Sequence, residues 1–206
     1  MTLEEIRVEL LVGTGNAGKL REFSELLAPL PISPRSLKDF PDVREVAETG
    51  ASFEENAALK AAGYAGQTGL WTLADDSGLE VAALGGAPGV RSARFAGEQA
   101  GDAENNQKLV YELRKNHESD SSARFVCAIA LAAPDGTIKT VVTGDCHGRV
   151  TAKPRGINGF GYDSLFLPEG FEQTFGELPP VVKSQISHRA RALAQIKLIL
   201  PRFFDF

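Results

Sequence analysis

Cysteine, long hydrophobic runs and excess positive charge are all scarce in this sequence of 206 residues. Its cysteines, Cys127 and Cys146, are too few for a disulfide framework, so we expect reduced thiols in a cytoplasmic protein. The longest apolar stretch, 126–133, is too short for a transmembrane helix, which needs about 20 residues. Residues 1–5 lack the basic and then apolar layout of a secretory signal, so we expect no membrane partner.

The charge balance argues against a nucleic-acid partner. The net charge is −5, and no run is rich in Lys or Arg, whereas nucleic-acid-binding domains carry a basic face. Hydrophobic residues make up 43% of the chain, which is ordinary for a globular protein with a substantial core. At this length we expect a single domain over residues 1–206, with room for two lobes.

Strand and helix patterns alternate in the first part of the chain, and a hairpin pattern follows. The turn-forming Pro134-Asp135-Gly136 lies between two apolar runs and predicts a β-hairpin. The predicted strands are 6–12, 123–132 and 137–143, and the predicted helices are 19–28, 53–64 and 187–200. This order predicts an α/β fold with a mixed β-sheet and helices on both faces.

The glycine-rich segment 12–19 follows a strand and opens a helix, where backbone N–H groups and the helix dipole attract phosphate. A dinucleotide-binding loop is a weak interpretation because no second βαβ half is evident. A P-loop would need Ser or Thr where the chain has Leu20. We favour a phosphate-binding loop built on Thr14, Asn16 and Lys19, with metal-binding carboxylates elsewhere; a plain glycine-rich turn is the structural alternative.

Two adjacent carboxylates, Asp75 and Asp76, follow the apolar run 71–74 and precede Ser77-Gly78. We predict that the strand ends here in a turn, which would place both acids at the edge where α/β proteins bind ligands. Neighbouring strand residues point to opposite faces, so the two acids should have different tasks. One can hold Mg²⁺ or activate water while the other anchors the loop; an ordinary turn is the alternative.

A capping-box pattern at Ser52 to Glu55 predicts the start of a helix at Phe53. On that helix Asn56 and Lys60 are four residues apart and therefore share a face. Glu48 lies in the entry loop near the same helix end.

Taken together, these segments resemble the inosine triphosphate pyrophosphatase family, over nearly the whole chain and in order. The matching motifs are 14–19, 48–60, 74–79, 84–95, 159–163 and 186–189. The resemblance implies an elongated mixed β-sheet flanked by helices, with two lobes, a central substrate cleft and a homodimeric assembly. The chain departs from the family at Ser164, where proline is common, and at 179–182, where acidic residues often precede the lysine of a late loop, here Lys183.

The activity implied by the resemblance is hydrolysis of the non-standard purine nucleoside triphosphates ITP, dITP and XTP. Water attacks between the α- and β-phosphates and releases nucleoside monophosphate and pyrophosphate, which cleanses the nucleotide pool. The implied cofactor is Mg²⁺, with Glu48 and Asp76 as ligands. Asp76, Lys60 and Asp75 carry over as catalytic residues, and whether Asp76 acts as base, ligand or both is open.

The other implied site residues bind the substrate. Lys19 and Lys60 face the phosphates, and Phe160 offers a stacking face to the purine. Arg189, with His188 in the first turn of the last helix, can donate to a 6-oxo group but cannot accept from a 6-amino group. The implied substrate-binding residues are Thr14, Gly15, Asn16, Ala17, Gly18, Lys19, Ser77, Phe160, Gly161, Tyr162, Asp163, Lys183, His188 and Arg189.

Two other functions stay open at this point. One is a nucleotide-binding or sensor protein without catalysis, which has no need for Glu48, Lys60, Asp75 and Asp76 together. The other is a cofactor-binding module, which a titration with NAD would test. The roles of Arg91 and Arg94 are also open, and the segment 203–206 is expected to dock on the protein body or a dimer partner.

Overall fold

The computed structural model describes residues 7–204, so the predicted strand start at Ile6 lies outside the described residues. The strands are β1 (Val8–Val12), β2 (Ile32–Ser36), β3 (Trp71–Val81), β4 (Asp120–Ala132), β5 (Ile138–Thr151) and β6 (Phe166–Pro168). The helices are α1 (Ala17–Leu27), α2 (Phe53–Thr68), α3 (Asp102–Lys115), α4 (Pro180–Ile186) and α5 (His188–Ile199). No helix within 7–204 has the length and apolar character needed to cross a bilayer.

The strands form one six-stranded sheet in the order β2-β1-β3-β4-β5-β6. β1 is parallel to both β2 and β3, with Leu10 opposite Trp71, and β5 is antiparallel to β6. A tight turn joins β4 to its neighbour β5, closed by a hydrogen bond from Ala133 N to Thr137 O at 2.9 Å. The predicted mixed sheet and hairpin are therefore confirmed.

The chain is divided into two compact units. Among the described residues, the first unit comprises 7–76, 128–143 and 192–204, and the second comprises 77–127 and 144–191. β3 contributes to both, because the division falls between Asp76 and Ser77.

Helix α2 of the first unit forms where the sequence predicts it. The Ser52 hydroxyl accepts a hydrogen bond from Glu55 N at 3.2 Å, which satisfies one of the backbone donors exposed at a helix start. Four turns later the helix ends at Gly69, whose φ of 68° is the left-handed conformation that glycine adopts without steric cost. Ala57, Ala61 and other small residues on one face are buried, so the helix packs closely on the unit.

The C-terminal aromatic residues dock on the first unit. Phe203 and Phe204 lie 5.8 Å and 5.0 Å from Trp71 between ring centroids, and the Phe204 contact is edge-to-face. Aromatic pairs in this arrangement contribute about 0.5–1.5 kcal/mol beyond burial. Docking on the protein body is thus confirmed for this pair, while Asp205 and Phe206 lie outside the described residues.

The core of the second unit is rich in aromatic side chains. Phe125, Phe166 and Phe175 pack with ring centroids 4.7–6.4 Å apart, against β5 and α3. Cys146 belongs to this core, and burial raises the pKa of its thiol to about 11. Both Cys127 and Cys146 are buried thiols, in accordance with a chain that does not depend on disulfides.

The predicted turn at Ser77-Gly78 is wrong, because β3 continues through it to Val81. A Cβ atom at Gly78 would overlap the Ser92 hydroxyl and the Gly89 carbonyl, so glycine is required here for close approach. The same Ser92 hydroxyl accepts a hydrogen bond from Leu79 N at 2.8 Å. Glycine in the strand therefore serves packing rather than chain reversal.

The family resemblance implies a late loop around Lys183, and this expectation is also wrong. Lys183 lies in the short helix α4. Pro180 stands at the first position of this helix, where its missing N–H is not needed and its fixed φ suits the helix. Helix α5 then begins at His188, which agrees with the predicted last helix.

Candidate functional site

The first unit contains an acid–lysine cluster, which we define as Glu48, Asn56, Lys60 and Asp76, and all of these except the partly exposed Glu48 are buried. The Lys60 ammonium lies 2.5 Å from Glu48 Oε1 and 3.7 Å from Asp76 Oδ1. Asn56 Nδ2 donates to Asp76 Oδ2 at 3.0 Å. One ammonium thus contacts two carboxylates, and Asp76 is additionally held by a neutral donor.

Helix α2 positions this cluster through residues one turn apart. Asn56 and Lys60 share its buried face, as predicted, and both reach Asp76 on β3. Asn56 Oδ1 also accepts from Gly50 N at 2.7 Å, which ties the loop that carries Glu48 to the same helix. Sequence reasoning placed Asn56 on the right face but missed it as a functional residue, although its i, i+4 relation to Lys60 was the available signal.

The electrostatics of the cluster favour a basic carboxylate. Burial raises the pKa of Asp76, and the nearby Glu48 carboxylate raises it further, against the opposing effect of the Lys60 ammonium. Burial alone would lower the pKa of Lys60, but the neighbouring carboxylates, led by that of Asp75, outweigh it and raise the pKa. Lys60 therefore stays charged at neutral pH, while Asp76 holds a proton more readily than an ordinary aspartate.

The other carboxylate of the pair, Asp75, has a different partner, as the alternation along a strand predicts. Its Oδ2 lies 3.0 Å from the ammonium of Lys19 in α1, and the Asp75 side chain is completely buried. The two adjacent acids thus contact lysines from two different helices, and three carboxylates in this unit face two ammonium groups.

The glycine-rich segment 12–19 has a structural role at the start of α1, in addition to its predicted role in phosphate binding. Asn16 is the N-cap of α1, and its side-chain oxygen accepts from Lys19 N at 3.0 Å, so that oxygen has a structural role. The first glycine, Gly13, is needed for packing, because a Cβ there would come within 2.8 Å of the Tyr64 ring. Gly15 has open space around it, which leaves that part of the backbone approachable.

Oxygen ligands for a hard cation are present in the acid–lysine cluster. Glu48 and Asp76 both reach the Lys60 ammonium, so their oxygens lie near one shared position. Mg²⁺ prefers one or two protein carboxylates together with phosphate and water oxygens, and this donor set fits that preference. No group of three or more His, Cys, Asp or Glu side chains suited to a metal was found within 7–204.

The second unit contains an arginine–phenylalanine cluster, which we define as Ser77, Phe160, Asp163, Lys183 and Arg189. Lys183 Nζ lies 2.6 Å from Asp163 Oδ2 and 4.4 Å from the centre of the Phe160 ring. Arg189 Nη2 donates to Ser77 Oγ at 2.9 Å, and its guanidinium carbon lies 5.9 Å from the same ring. Two cations therefore border one aromatic ring.

Arg189 is the most unusual member of this cluster, since it is only 1% exposed. Burying a guanidinium is costly unless donors and charge are compensated, so evolution rarely retains one for packing alone. The guanidinium is a donor with no acceptor, which suits recognition of a carbonyl oxygen. The Asp163 carboxylate of the same cluster pairs with Lys183.

Two residues of the implied substrate-binding set also pack within the second unit. Tyr162 belongs to the core of the second unit, and its hydroxyl donates to Ser92 O at 2.8 Å. Burial raises the pKa of this hydroxyl. The His188 ring stacks on Phe125 with centroids 4.7 Å apart and planes 11° apart. These contacts give both side chains a packing role, and their predicted binding of substrate stays a prediction.

Gly161 has partners that sequence reasoning missed. Its N–H donates to Asp102 Oδ2 at 2.6 Å, and its carbonyl accepts from Asn106 Nδ2 at 2.9 Å. No motif marks these two residues, and only their spacing of four on one helix hints at a joint role. Arg91 and Arg94 both approach Glu98, at 4.0 Å and 3.7 Å.

Comparison with known proteins places the chain in a family. The model of the Ham1 family matches residues 10–199. The chain is 47% identical over 192 residues to a dITP/XTP pyrophosphatase of Bacillus licheniformis, covering 93% of this chain and 97% of that protein. It is 50% identical over 188 residues to one of Geobacter sulfurreducens, covering 91% and 94%.

A solved structure agrees with this result. The HAM1 protein from Coxiella burnetii superposes with a TM-score of 0.85 at 43% identity, covering 95% of this chain and 99% of that one. This agreement of sequence and fold confirms the resemblance inferred from the motifs. The chain therefore belongs to the Ham1 family.

Proposed function

We propose that this protein hydrolyses purine nucleoside triphosphates bearing a 6-oxo base, namely ITP, dITP and XTP, to nucleoside monophosphate and pyrophosphate. The observation that carries the proposal is the acid–lysine cluster, in which a carboxylate of raised pKa, Asp76, shares an ammonium with Glu48. Relatives named dITP/XTP pyrophosphatases support the same substrate class.

The first unit supplies the groups for the phosphate end of the substrate. Lys60 and Lys19 neutralise phosphate charge, and each is aimed by a carboxylate that holds its side chain. The approachable backbone of 15–18 at the start of α1 adds N–H donors, since the helix dipole favours anions there. Thr14 and Asn16 shape this loop through the hydrogen bond from Asn16 N to Thr14 Oγ1 at 3.2 Å.

In the chemical step a water oxygen forms a bond to the α-phosphorus, and the bond from that phosphorus to the bridging oxygen breaks. Pyrophosphate leaves with the electron pair of that bond. Asp76 accepts the proton of the water, which its raised pKa favours. Lys60 stabilises the charge that develops on the phosphate oxygens, and it stays protonated because its own pKa is raised.

We assign Mg²⁺ to Glu48 and Asp76, with Asp75 as a supporting carboxylate, on the chemistry of these oxygen ligands. Bound there with substrate oxygens, the ion would supply charge neutralisation and polarise a water molecule. The chain's own contribution is to hold both carboxylates near the Lys60 ammonium, with Asp76 buried and Glu48 partly exposed.

The second unit supplies the groups for the base. Phe160 offers a ring face for stacking on the purine, and Arg189 donates a hydrogen bond to the 6-oxo oxygen. Adenine carries a 6-amino group, which cannot accept from a guanidinium, so ATP should be a poor substrate. Ser77 orients the guanidinium, while the Asp163–Lys183 pair fixes the backbone and ring of Phe160.

Product analysis tests this proposal directly. With Mg²⁺, chromatography of ITP, dITP and XTP reactions should show only the monophosphate and pyrophosphate, and ATP should react much more slowly. Release of orthophosphate and nucleoside diphosphate would place the cleavage elsewhere. Binding of ITP without any turnover would favour a nucleotide sensor instead.

We further propose that residues 1–206 act as one pyrophosphatase domain in a cytoplasmic homodimer. Reducing conditions suit the buried thiols of Cys127 and Cys146. The first unit carries groups suited to phosphates, and the second carries groups suited to a purine base.

A further inference from the structure

The backbone around Phe160 is held by side chains of helix α3 that no catalytic or binding motif includes. Gly161 donates its N–H to Asp102 Oδ2 at 2.6 Å and accepts from Asn106 Nδ2 at 2.9 Å. Both hydrogen-bonding groups of one residue are thus held by two side chains, a pair that we call the α3 clamp. Its members lie one turn apart on the same helix face.

The clamp acts where the backbone has an unusual conformation. Gly161 has a φ of 59°, in the left-handed region, and a flexible glycine would otherwise leave the direction of the preceding peptide poorly defined. On the other side, Phe160 N donates to Asp163 Oδ2 at 2.9 Å. The peptide groups on both sides of Phe160 are therefore fixed by acceptors from different parts of the second unit.

Because the peptide groups on both sides of Phe160 are held, the position of the Phe160 ring is restricted as well. The Phe160 ring lies 4.4 Å from the Lys183 ammonium and 5.9 Å from the Arg189 guanidinium carbon. A stacking surface contributes more to binding when it is held in place beforehand, because ordering it upon binding costs conformational entropy.

We propose that Asp102 and Asn106 are positioning residues that hold Phe160 ready for the purine base. The proposal rests on the proposed function, since it assigns these residues to the base end of the same substrate. They contact the backbone of Gly161 rather than the reacting atoms, so they should govern KM and leave kcat nearly unchanged.

The test compares Asp102→Ala and Asn106→Ala with Glu104→Ala in the full-length protein. Glu104 is a matched control on the same helix. Its carboxylate accepts from Gly101 N at 2.6 Å, so it caps the helix start rather than holding the backbone of Gly161. Loss of one such hydrogen bond should raise KM for ITP about tenfold and change kcat less than about twofold. Asp102→Asn keeps an acceptor oxygen and should recover much of the loss.

Affinity for IMP, measured by calorimetry, should weaken by the same factor as KM rises in both clamp variants. KM and IMP affinity equal to those of Glu104→Ala, or a loss confined to kcat, would overturn the proposal. If the unaltered protein binds IMP but does not hydrolyse ITP, the proposed function fails while the IMP comparison still decides the clamp. Absence of IMP binding to the unaltered protein would overturn both.

Discussion

The two clusters differ in charge and in chemical character. In the first unit three carboxylates face two ammonium groups. In the second unit Lys183 pairs with Asp163, and both Lys183 and Arg189 lie near the ring of Phe160. An excess of acid suits a metal ion with phosphates, whereas cations beside a ring suit a planar base with a carbonyl oxygen. Under the proposed function, the acid–lysine cluster would carry the chemistry and the arginine–phenylalanine cluster the base choice, and substitutions can test that separation.

The largest effect is expected from Asp76→Asn, which keeps the shape of the side chain but removes its charge. Loss of a general base and a metal ligand should reduce kcat at least about 10³-fold, equally for ITP and XTP. Pyrophosphate release gives the measurement. A variant that retains most of the unaltered kcat would show that Asp76 has neither role.

The same variant has an expected effect on stability, measured as thermal unfolding in EDTA. The raised pKa means that the folded chain binds the Asp76 proton more tightly than the unfolded chain does. The free energy of unfolding therefore falls as pH rises from the ordinary aspartate pKa through the raised pKa of Asp76. At neutral pH the charged form of Asp76 destabilises the folded protein. Asp76→Asn should thus unfold at a temperature no lower than the unaltered protein. Loss of the fold would instead make its inactivity uninformative.

A second, smaller effect is expected from Lys60→Met, with the exposed Lys139→Met as the matched control. Loss of the ammonium should lower kcat/KM by about 10²-fold, similar to loss of one transition-state donor elsewhere. Because Lys60 lowers the pKa of Asp76, its removal should raise that pKa further. The acidic limb of the pH–rate profile should then move to higher pH. An unmoved limb would mean that another group controls it.

The smallest of the three effects, and the one that separates the clusters, is expected from Arg189→Ala. A hydrogen bond from a charged donor contributes about 1.5–3 kcal/mol, so kcat/KM for ITP and XTP should fall about ten- to a hundredfold. The advantage over ATP should narrow, while the requirement for Mg²⁺ should not change. Arg191→Ala is the control, since Arg191 lies on the same helix but bonds the backbone of Asp145. Equal losses for ITP and ATP would assign Arg189 to the phosphates.

Much of the fold was predictable because local signals agreed with tertiary structure. The capping pattern at Ser52 located the start of α2, and the turn residues 134–136 located the hairpin. Spacing alone placed Asn56 and Lys60 on one face, and strand alternation gave Asp75 and Asp76 different partners. The ordered motifs also indicated the family correctly.

The failures share a physical cause. Ser77-Gly78 has the composition of a turn, yet the strand continues because Gly78 allows Ser92 and Gly89 to approach the backbone. That requirement comes from a segment more than ten residues away, which no local pattern contains. Tyr162 and His188 stay predicted substrate-binding residues, and the structure adds that both side chains pack within the second unit.

The sequence by itself indicated the family, through the resemblance of its ordered motifs, and it located the helices and strands with clear local signals, whereas β2, α3, α4 and β6 were not predicted. Only the tertiary structure decided which acid meets which lysine, how burial shifts the pKa of Asp76 and that Asp102 and Asn106 hold Gly161. Those properties depend on distances between residues far apart in the chain. The packing of the folded protein sets those distances.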